Sequence, residues 1–328
     1  MRNFIIKRLL LSVVILFFVC FIIYALMRCL PASYVETMAR QLSQAPGAKS
    51  YDEWLQQLNA AYGLDLHIVP GFFVQLGHML TGQFGDSWKF TEPVIDVFVG
   101  CVGVSFVLGA ASLVLQLIIA IPLGVIAATK QYSRADYVIS FFALAGISLP
   151  TFFFATLLKL IFAVELKWFP LLGLTGRDFN QLDTIGQLLD MGYHLVLPLV
   201  TLTVISVGSL MRYTRTNMLE VLNADYIRTA RAKGLSERKV IYHHAFRNTL
   251  IPLVTIIGGS LPGLFAGALI TETLFSIPGI GYTSYQAMVA GDIPFSMFYL
   301  TFMAILTLLG NLISDILYAV VDPRVRIS

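Results

Sequence analysis

The chain has 328 residues, of which 57% are hydrophobic and only 12% are charged. Because soluble domains carry about 25% charged residues, this composition excludes an ordinary soluble domain and indicates a protein that folds in lipid. The formal net charge of +3 is too small to indicate a nucleic-acid partner. The three cysteines are too few for a disulfide framework, although a bridge between Cys29 and Cys101 stays an open alternative.

Six apolar segments reach the roughly 20 residues that a helix needs to cross a bilayer. They cover residues 8–27, 99–128, 137–163, 194–211, 249–275 and 295–320. The first has no small-residue cleavage site, so it is predicted to be a retained span and not a signal peptide. Four spans contain a proline that should kink them, namely Pro122, Pro150, Pro198 and Pro262. Broken helices persist in lipid only where neighbours satisfy the freed carbonyl groups, so we predict an all-α, polytopic membrane bundle.

The basic residues between the spans predict the orientation of this bundle. One side of the membrane carries 15 Lys and Arg residues and the other carries 6. Since the excess marks the cytoplasm, both termini and the loop at 213–248 are predicted to be cytoplasmic. The predicted organisation is a transmembrane helix at 1–29, an extracytoplasmic segment at 30–98 and a five-helix core at 99–328. A helix-like stretch at 51–62 and its apolar anchors favour an ordered cap over a disordered loop in the extracytoplasmic segment.

The cytoplasmic loop contains an amphipathic, basic stretch at 223–252. At helical spacing one of its faces is apolar, and this face consists of Tyr226, Ile227, Ala230 and Gly234. Gly234 is suited to the left-handed conformation that closes a helix, and Ser236 to the cap of the next one. The stretch is therefore predicted to form two short helices outside the bilayer, which pass force from a soluble partner to the spans.

Motifs of enzyme active sites are missing from the sequence. It has no phosphate-binding G-x-x-x-x-G-K-[ST] loop, and no H-E-x-x-H, G-x-S-x-G or C-x-x-C motif. The adjacent His243 and His244 fit a solvated helix end better than a metal site. We therefore predict no catalytic residue, no metal ligand and no cofactor bound by this chain, and we do not expect an enzyme.

Ionisable residues inside spans are functional candidates, because charge is costly in lipid. Glu272 is either a carboxylate on a substrate pathway or a cap for the turn at 276–281. Lys159 is expected to extend its ammonium group out of the third span. The glycine-rich run at 257–263 is expected to allow close helix packing. The candidate pathway residues are Glu272, Pro150 and Pro262.

Four longer runs of sequence carry a resemblance to a known family. They are NADYIRTARAKGLSERKV, HAFRNTLIP, ITETLFSIPGIG and LYAVVDPRVR, and weaker matches extend over nearly the whole chain. Together they resemble the membrane permeases of bacterial ABC importers, in the peptide/nickel branch that carries di- and oligopeptides. In such permeases a cytoplasmic loop of pattern E-A-A-x-x-x-G docks on the ATPase subunit. Arg228 and Thr229 depart from this pattern, whereas Ala230 and Gly234 match it.

The resemblance implies a set of ATPase-coupling residues and a set of partners. The coupling residues are Asp225, Tyr226, Arg228, Thr229, Ala230, Arg231, Lys233, Gly234 and Leu235. The implied assembly lies in the bacterial cytoplasmic membrane and contains a second homologous permease, distinct or identical. Two ATP-binding subunits would hold ATP and Mg, and an extracytoplasmic binding protein would deliver the substrate.

Several alternatives stay open from the sequence. The substrate could be a dipeptide, an oligopeptide, a nickel chelate, glutathione or an antimicrobial peptide. Three other classes are a secondary transporter, a membrane sensor with a DNA-binding helix–turn–helix, and an intramembrane enzyme. The absence of an inverted repeat in the sequence disfavours a secondary transporter. The tethering of the basic helices at both ends disfavours a DNA-binding sensor. The lack of paired catalytic groups disfavours an intramembrane enzyme.

Overall fold

The computed structural model describes residues 2–29, 34–44, 49–61 and 64–321. The α-helices of these residues are α1 Arg2–Arg28, α2 Tyr34–Ser43, α3 Tyr51–Ala61, α4 Ile68–Leu80, α5 Val94–Thr129, α6 Arg134–Ser148, α7 Thr151–Leu158, α8 Thr184–Leu222, α9 Asp225–Ala232, α10 Glu237–Lys239, α11 Phe246–Ala266, α12 Leu269–Phe275, α13 Ile280–Val289 and α14 Ile293–Val321. Wide π-helical turns lie at Lys159–Glu165 and Val240–Ala245. Among the described residues, the strand-like pairing is limited to one bridge between Asp86 and Pro93.

Four helices are long and apolar enough to cross a membrane, namely α1, α5, α8 and α14. Two bent pairs reach the same length and composition together: α6 with α7 and its π-helical extension, and the later part of α11 with α12. The described residues therefore contain four to six candidate spans, and each of the six predicted segments overlaps one of these helices or bent pairs. The predicted fold class, a polytopic helical membrane bundle, is confirmed.

The third predicted span is not one straight helix. Its two halves, α6 and α7, differ in direction by 103°. The break occurs at Leu149, whose backbone is extended because the ring of Pro150 disfavours helical conformation in the residue before it. The prolines of the other spans, in contrast, lie inside continuous helices: Pro122, Pro198 and Pro262.

The helix α8 is longer than its predicted span at both ends. It comprises 39 residues, and its first turn is capped by Asp183, whose carboxylate accepts a hydrogen bond from the Gly186 amide at 3.0 Å. At the other end, residues 213–222 of the predicted loop continue the helix. The helix of this span therefore runs without interruption to Leu222, three residues before the start of α9.

The protein divides into two compact units, the first of which comprises Met1–Gly103 and Thr283–Leu309. Between α1 and α5 this unit carries the helices α2, α3 and α4, which pack on apolar clusters around Phe72 and Trp88. The described residues of this segment are thus mainly helical and packed on apolar side chains. Cys29 and Cys101, both within the described ranges, are not joined by a disulfide.

The second unit comprises Val104–Tyr282 and Gly310–Ser328, and its helices cross closely at glycines. A Cβ on Gly124 of α5 would lie 2.7 Å from the Cβ of Thr214 on α8. A Cβ on Gly146 of α6 would lie 3.0 Å from the Val204 carbonyl oxygen, also on α8. Both neighbours of α8 thus pack on it backbone to backbone, which is how helices associate in lipid.

Candidate functional site

The helix α9 is short, amphipathic and attached to three longer elements. Ile227 is fully buried, and Ala230 is only 7% exposed. These side chains pack in one apolar cluster with Val125 and Ala128 of α5, Met218 of α8, and Val240 and Ala245 of the π-helical turn before α11. Because full burial of one such aliphatic side chain contributes about 2–3 kcal/mol, α9 is held firmly against the ends of α5, α8 and α11.

The opposite face of α9 is exposed. The exposed residues there are Asp225, Arg228, Thr229 and Lys233. Tyr226 is also 48% exposed, so its predicted place on the apolar face is wrong. The buried stripe of this short helix is narrow and consists of Ile227 and Ala230. Tyr226 lies about 100° away from Ile227, which turns it to the surface.

The turn after α9 depends on Gly234. Its φ of +77° lies in the left-handed region, which costs other residues about 1 kcal/mol or more. Nothing lies within 4 Å of the position that a Cβ would take, so this side of Gly234 faces open space. Leu235 turns back and packs, partly buried, on the apolar cluster beneath α9. The predicted left-handed glycine is confirmed.

Arg231 and Glu237 bridge this turn. The Arg231 guanidinium donates hydrogen bonds to the two Glu237 carboxylate oxygens at 2.7 and 3.2 Å. These bonds lower the pKa of the Glu237 carboxyl below its usual value. Ser236 precedes the next helix as predicted, but its side chain makes no capping hydrogen bond.

The second helix of the stretch is not separate, so this part of the prediction is wrong. The chain passes from Glu237–Lys239 through the π-helical turn Val240–Ala245 directly into α11. The helix that contains the fifth predicted span therefore extends back to the turn at Gly234, and α9 alone forms a separate short helix.

We expect the pair formed by Arg231 and Glu237 to stabilise the turn except at acidic pH. Because the folded pKa of Glu237 lies below its unfolded value of about 4.3, the contribution is complete above about pH 5 and is lost as the pH falls through the folded pKa. Both side chains are about half exposed, so it should stay below about 1 kcal/mol. Unfolding midpoints of Glu237→Gln and the wild type should differ slightly at neutral pH and converge as the pH falls below the folded pKa of Glu237. A difference that persists in acid would contradict this origin.

Glu272 of α12 is a fully buried carboxylate that holds a turn together. It accepts hydrogen bonds from the Ser105 hydroxyl at 2.7 Å and from the amides of Ala268 and Tyr282 at 2.9 Å each. The Ser105 hydroxyl accepts one from the Ile280 amide at 2.8 Å. Such donors offset the cost of burying a carboxylate. The geometry supports the turn-capping interpretation of Glu272.

Lys159 closes the other end of α12. Its ammonium group donates to the Leu274 carbonyl and lies 5.4 Å from the centroid of the Phe275 ring. The last carbonyl groups of a helix lack partners within the helix and attract a cation. The prediction that Lys159 extends its ammonium group out of the third span is therefore wrong. Lys159 instead joins the third span to the fifth.

A cavity of about 240 Å³ lies among α5, α8 and α11. Its lining is uncharged, and the polar side chains in it are Ser105, Ser112, Gln116, Ser206 and Ser260. The Gln116 amide group donates to the Ser206 carbonyl at 2.9 Å, which joins α5 to α8. Hydroxyl and amide groups both donate and accept hydrogen bonds, so this lining matches main-chain amides and selects little among side chains. We refer to it as the polar cleft.

The polar cleft was not predicted from the sequence. Ser105, Ser112 and Gln116 recur at intervals of seven and four residues, which places them on one face of α5. A polar stripe in an otherwise apolar span was the signal that could have revealed them. Gly259 and Gly263 have no atom within 4 Å of a Cβ position, so the expected close packing of the glycine-rich run is wrong for these two.

The two prolines predicted on the substrate pathway do not line the polar cleft. Pro150 precedes α7 and is exposed. Pro262 packs against α14, where a Cβ on Gly310 would lie 2.8 Å from its ring. Within the described ranges, His, Cys, Asp and Glu side chains form no group of three or more that could hold a metal ion.

The family is now evident from comparison with known proteins. The profile of the family described as binding-protein-dependent transport system inner membrane component matches residues 120–327. The chain therefore belongs to this family. It is a multi-pass protein of the bacterial inner membrane and a transport subunit, which confirms the resemblance carried by the four sequence runs.

Similar proteins match along the full length. The oligopeptide transport system permease protein AppB of Bacillus subtilis is 36% identical over 328 residues, which cover 99% of this chain and 100% of the relative. The dipeptide transport system permease protein DppB of Lactococcus lactis is 34% identical over 328 residues, 100% of each chain. DppB of Escherichia coli, also a dipeptide permease, is 34% identical over 344 residues, 99% of each.

Proposed function

We propose that this chain is the permease subunit of an ATP-binding-cassette importer and forms half of a translocation pathway for di- and oligopeptides. The descriptions of its relatives favour peptides over nickel chelates, glutathione or antimicrobial peptides. The chain pairs with a second homologous permease and receives substrate from an extracytoplasmic binding protein. Two separate ATP-binding subunits hold ATP and Mg, and this chain binds no cofactor and hydrolyses no ATP.

The attachment of α9 carries this proposal. Its apolar face is buried on the ends of α5, α8 and α11, whereas its exposed face offers Tyr226, Arg228 and Lys233 to a protein partner. A partner that moves α9 must therefore move three spans with it. The excess of basic residues on the same side of the membrane supports a cytoplasmic partner.

The coupling residues divide into two groups under this proposal. Those that face the ATP-binding subunit are Asp225, Tyr226, Arg228, Thr229, Lys233 and Gly234. Those that hold α9 in place are Ala230, Arg231 and Leu235. The closed, ATP-bound subunits bind two arrangements of the bundle with different affinity. Their closure therefore favours one of these arrangements over the other.

The polar cleft is the proposed site of substrate passage. Uncharged groups on three spans allow peptides of different sequence to pass, since they bind main-chain amides and no particular side chain. The open glycines of α11 leave room for the substrate or for the second permease.

Filling the cleft should block transport. We expect Gly263→Leu, which introduces four carbons into open space, to lower the uptake rate by roughly tenfold or more, because a narrowed pathway excludes the substrate. The matched control is Gly192→Leu, at an equally open glycine of α8 outside the cleft. Co-purification of the partner subunits monitors assembly of both variants. Normal uptake by Gly263→Leu would contradict the assignment of the cleft.

Reconstitution tests the proposed function as a whole. The chain, the second permease and the ATP-binding subunits are placed in liposomes, and uptake of a labelled dipeptide is followed with the binding protein outside. We expect uptake only with ATP and only with all subunits present. Uptake by the lone chain without nucleotide would reject the proposal.

A further inference from the structure

A second cavity, of about 230 Å³, lies between α6 and α8 near the ends that the basic residues assign to the cytoplasm. We call it the α6–α8 pocket. Its wall is apolar and consists of Ala143, Leu144, Ile147 and Met211. Its polar lip consists of Ser140, Arg212 and Arg215. The pocket is thus amphipathic, with a cationic lip and an apolar wall.

The two arginines of the lip differ in their electrostatic state. Arg215 is neutralised by Asp136, because its guanidinium donates two hydrogen bonds to that carboxylate at 2.7 and 2.8 Å. Ser140 also donates to Asp136, at 3.2 Å. No carboxylate in the described part of the chain pairs with Arg212, which is exposed. The lip therefore carries one uncompensated positive charge.

The apolar wall continues into a surface that faces hydrocarbon. Large apolar side chains of α6 are exposed along the helix, among them Phe141, Phe142 and Leu144, at 66%, 69% and 50%. In a membrane such a surface contacts acyl chains, and Tyr137, 64% exposed one turn nearer the helix start, fits the headgroup region. The exposed apolar surface of α6 is thus continuous with the apolar wall of the pocket, and Arg212 lies at the lip of that wall.

We propose that the α6–α8 pocket binds an anionic phospholipid of the cytoplasmic leaflet. The headgroup phosphate lies at Arg212, and one acyl chain lies against Leu144 and Ile147. Basic pockets between transmembrane helices on the cytoplasmic side are suited to such headgroups. The site is independent of the polar cleft and of α9, and it does not depend on which substrate is transported.

Lipid binding to the purified full chain tests this proposal. Retained phosphatidylglycerol and phosphatidylcholine with identical acyl chains are compared by native mass spectrometry over a range of lipid concentrations. We expect saturable retention of one phosphatidylglycerol in preference to phosphatidylcholine. Arg212→Gln should weaken this retention by about fivefold, the effect of removing one basic residue near an anionic lipid. Leu144→Ser should also weaken it, because the acyl chain loses part of its wall.

Arg247→Gln provides the matched control, since Arg247 is an exposed arginine at the same end of the bundle, on α11 and outside the pocket. It should retain phosphatidylglycerol like the wild type. Equal losses in the Arg212 and Arg247 variants would show a general surface charge effect and overturn the proposal. Equal retention of both lipids by the wild type would also overturn it. Displacement of the lipid by glycerol phosphate at equal concentration would show an anion site that does not use the apolar wall, with the same consequence.

Discussion

Replacement of Glu272 by alanine is expected to be the most destabilising of the substitutions considered. The carboxylate accepts hydrogen bonds from Ser105, Ala268 and Tyr282, and its loss leaves three donors without their acceptor in a buried site. Each buried donor left unsatisfied costs about 1–3 kcal/mol, so we expect a loss of roughly 3 kcal/mol or more. The thermal unfolding midpoint, measured at one scan rate in detergent, should fall by several degrees.

Glu220→Ala is the control for this substitution. Glu220 is an exposed glutamate of α8, so its replacement removes the same atoms but leaves no buried donor without its acceptor. Its unfolding midpoint should match that of the wild type. A Glu272→Ala variant that unfolds at the same temperature as this control would contradict the role that we assign to Glu272. Gln at position 272 keeps the volume but brings an NH₂ group towards N–H donors, so it should be destabilising as well.

Gly234→Asp is expected to abolish ATP-dependent uptake while the protein remains folded in the membrane. The substitution places a carboxylate where the open side of Gly234 faces solvent, next in sequence to the exposed Lys233. Under the proposed function this surface docks on the ATP-binding subunit, and a side chain there obstructs the contact. The backbone strain itself should cost only about 1 kcal/mol. Uptake into liposomes and co-purification of the ATP-binding subunit measure the two consequences.

Gly234→Ala separates docking from strain, because it imposes at least as much left-handed strain with only one small carbon. We expect it to retain a substantial part of the uptake. Equal loss in both variants would assign the effect to the backbone and not to the docking surface. Full uptake by Gly234→Asp would show that the partner does not contact this turn.

The spans and the left-handed glycine were predictable from the sequence because both follow from local chemistry. Length and apolar composition define a span, and Gly234 lies at a helix end where only glycine adopts positive φ without strain. The break at Pro150 was predictable in position, but its 103° angle was not. Pro122 and Pro198, in contrast, lie inside continuous helices. Whether a proline breaks its helix depends on the hydrogen-bond donors that neighbouring helices offer to the freed carbonyl groups.

Contacts between distant segments could not be predicted. The sequence leaves Glu272 open between a pathway carboxylate and a cap of its own turn, and its hydrogen bond to Ser105 joins residues 167 positions apart. Likewise, the polar cleft exists only because three helices bring their serines and Gln116 to one place. Tyr226 was misplaced because a helix of eight residues can bury either of two adjacent apolar side chains, and only the surface beneath it decides between them.

The π-helical turn at Val240–Ala245 has a geometric consequence for α9. A π-helical turn accommodates one residue more than the α-helix around it. Each residue of an α-helix advances the chain by about 1.5 Å and rotates it by about 100°. Deleting one residue here would restore regular winding and change the direction, about the axis of α11, from which the turn at Gly234 and α9 join this helix. The length of this turn therefore sets the orientation of the basic face of α9 about the axis of α11.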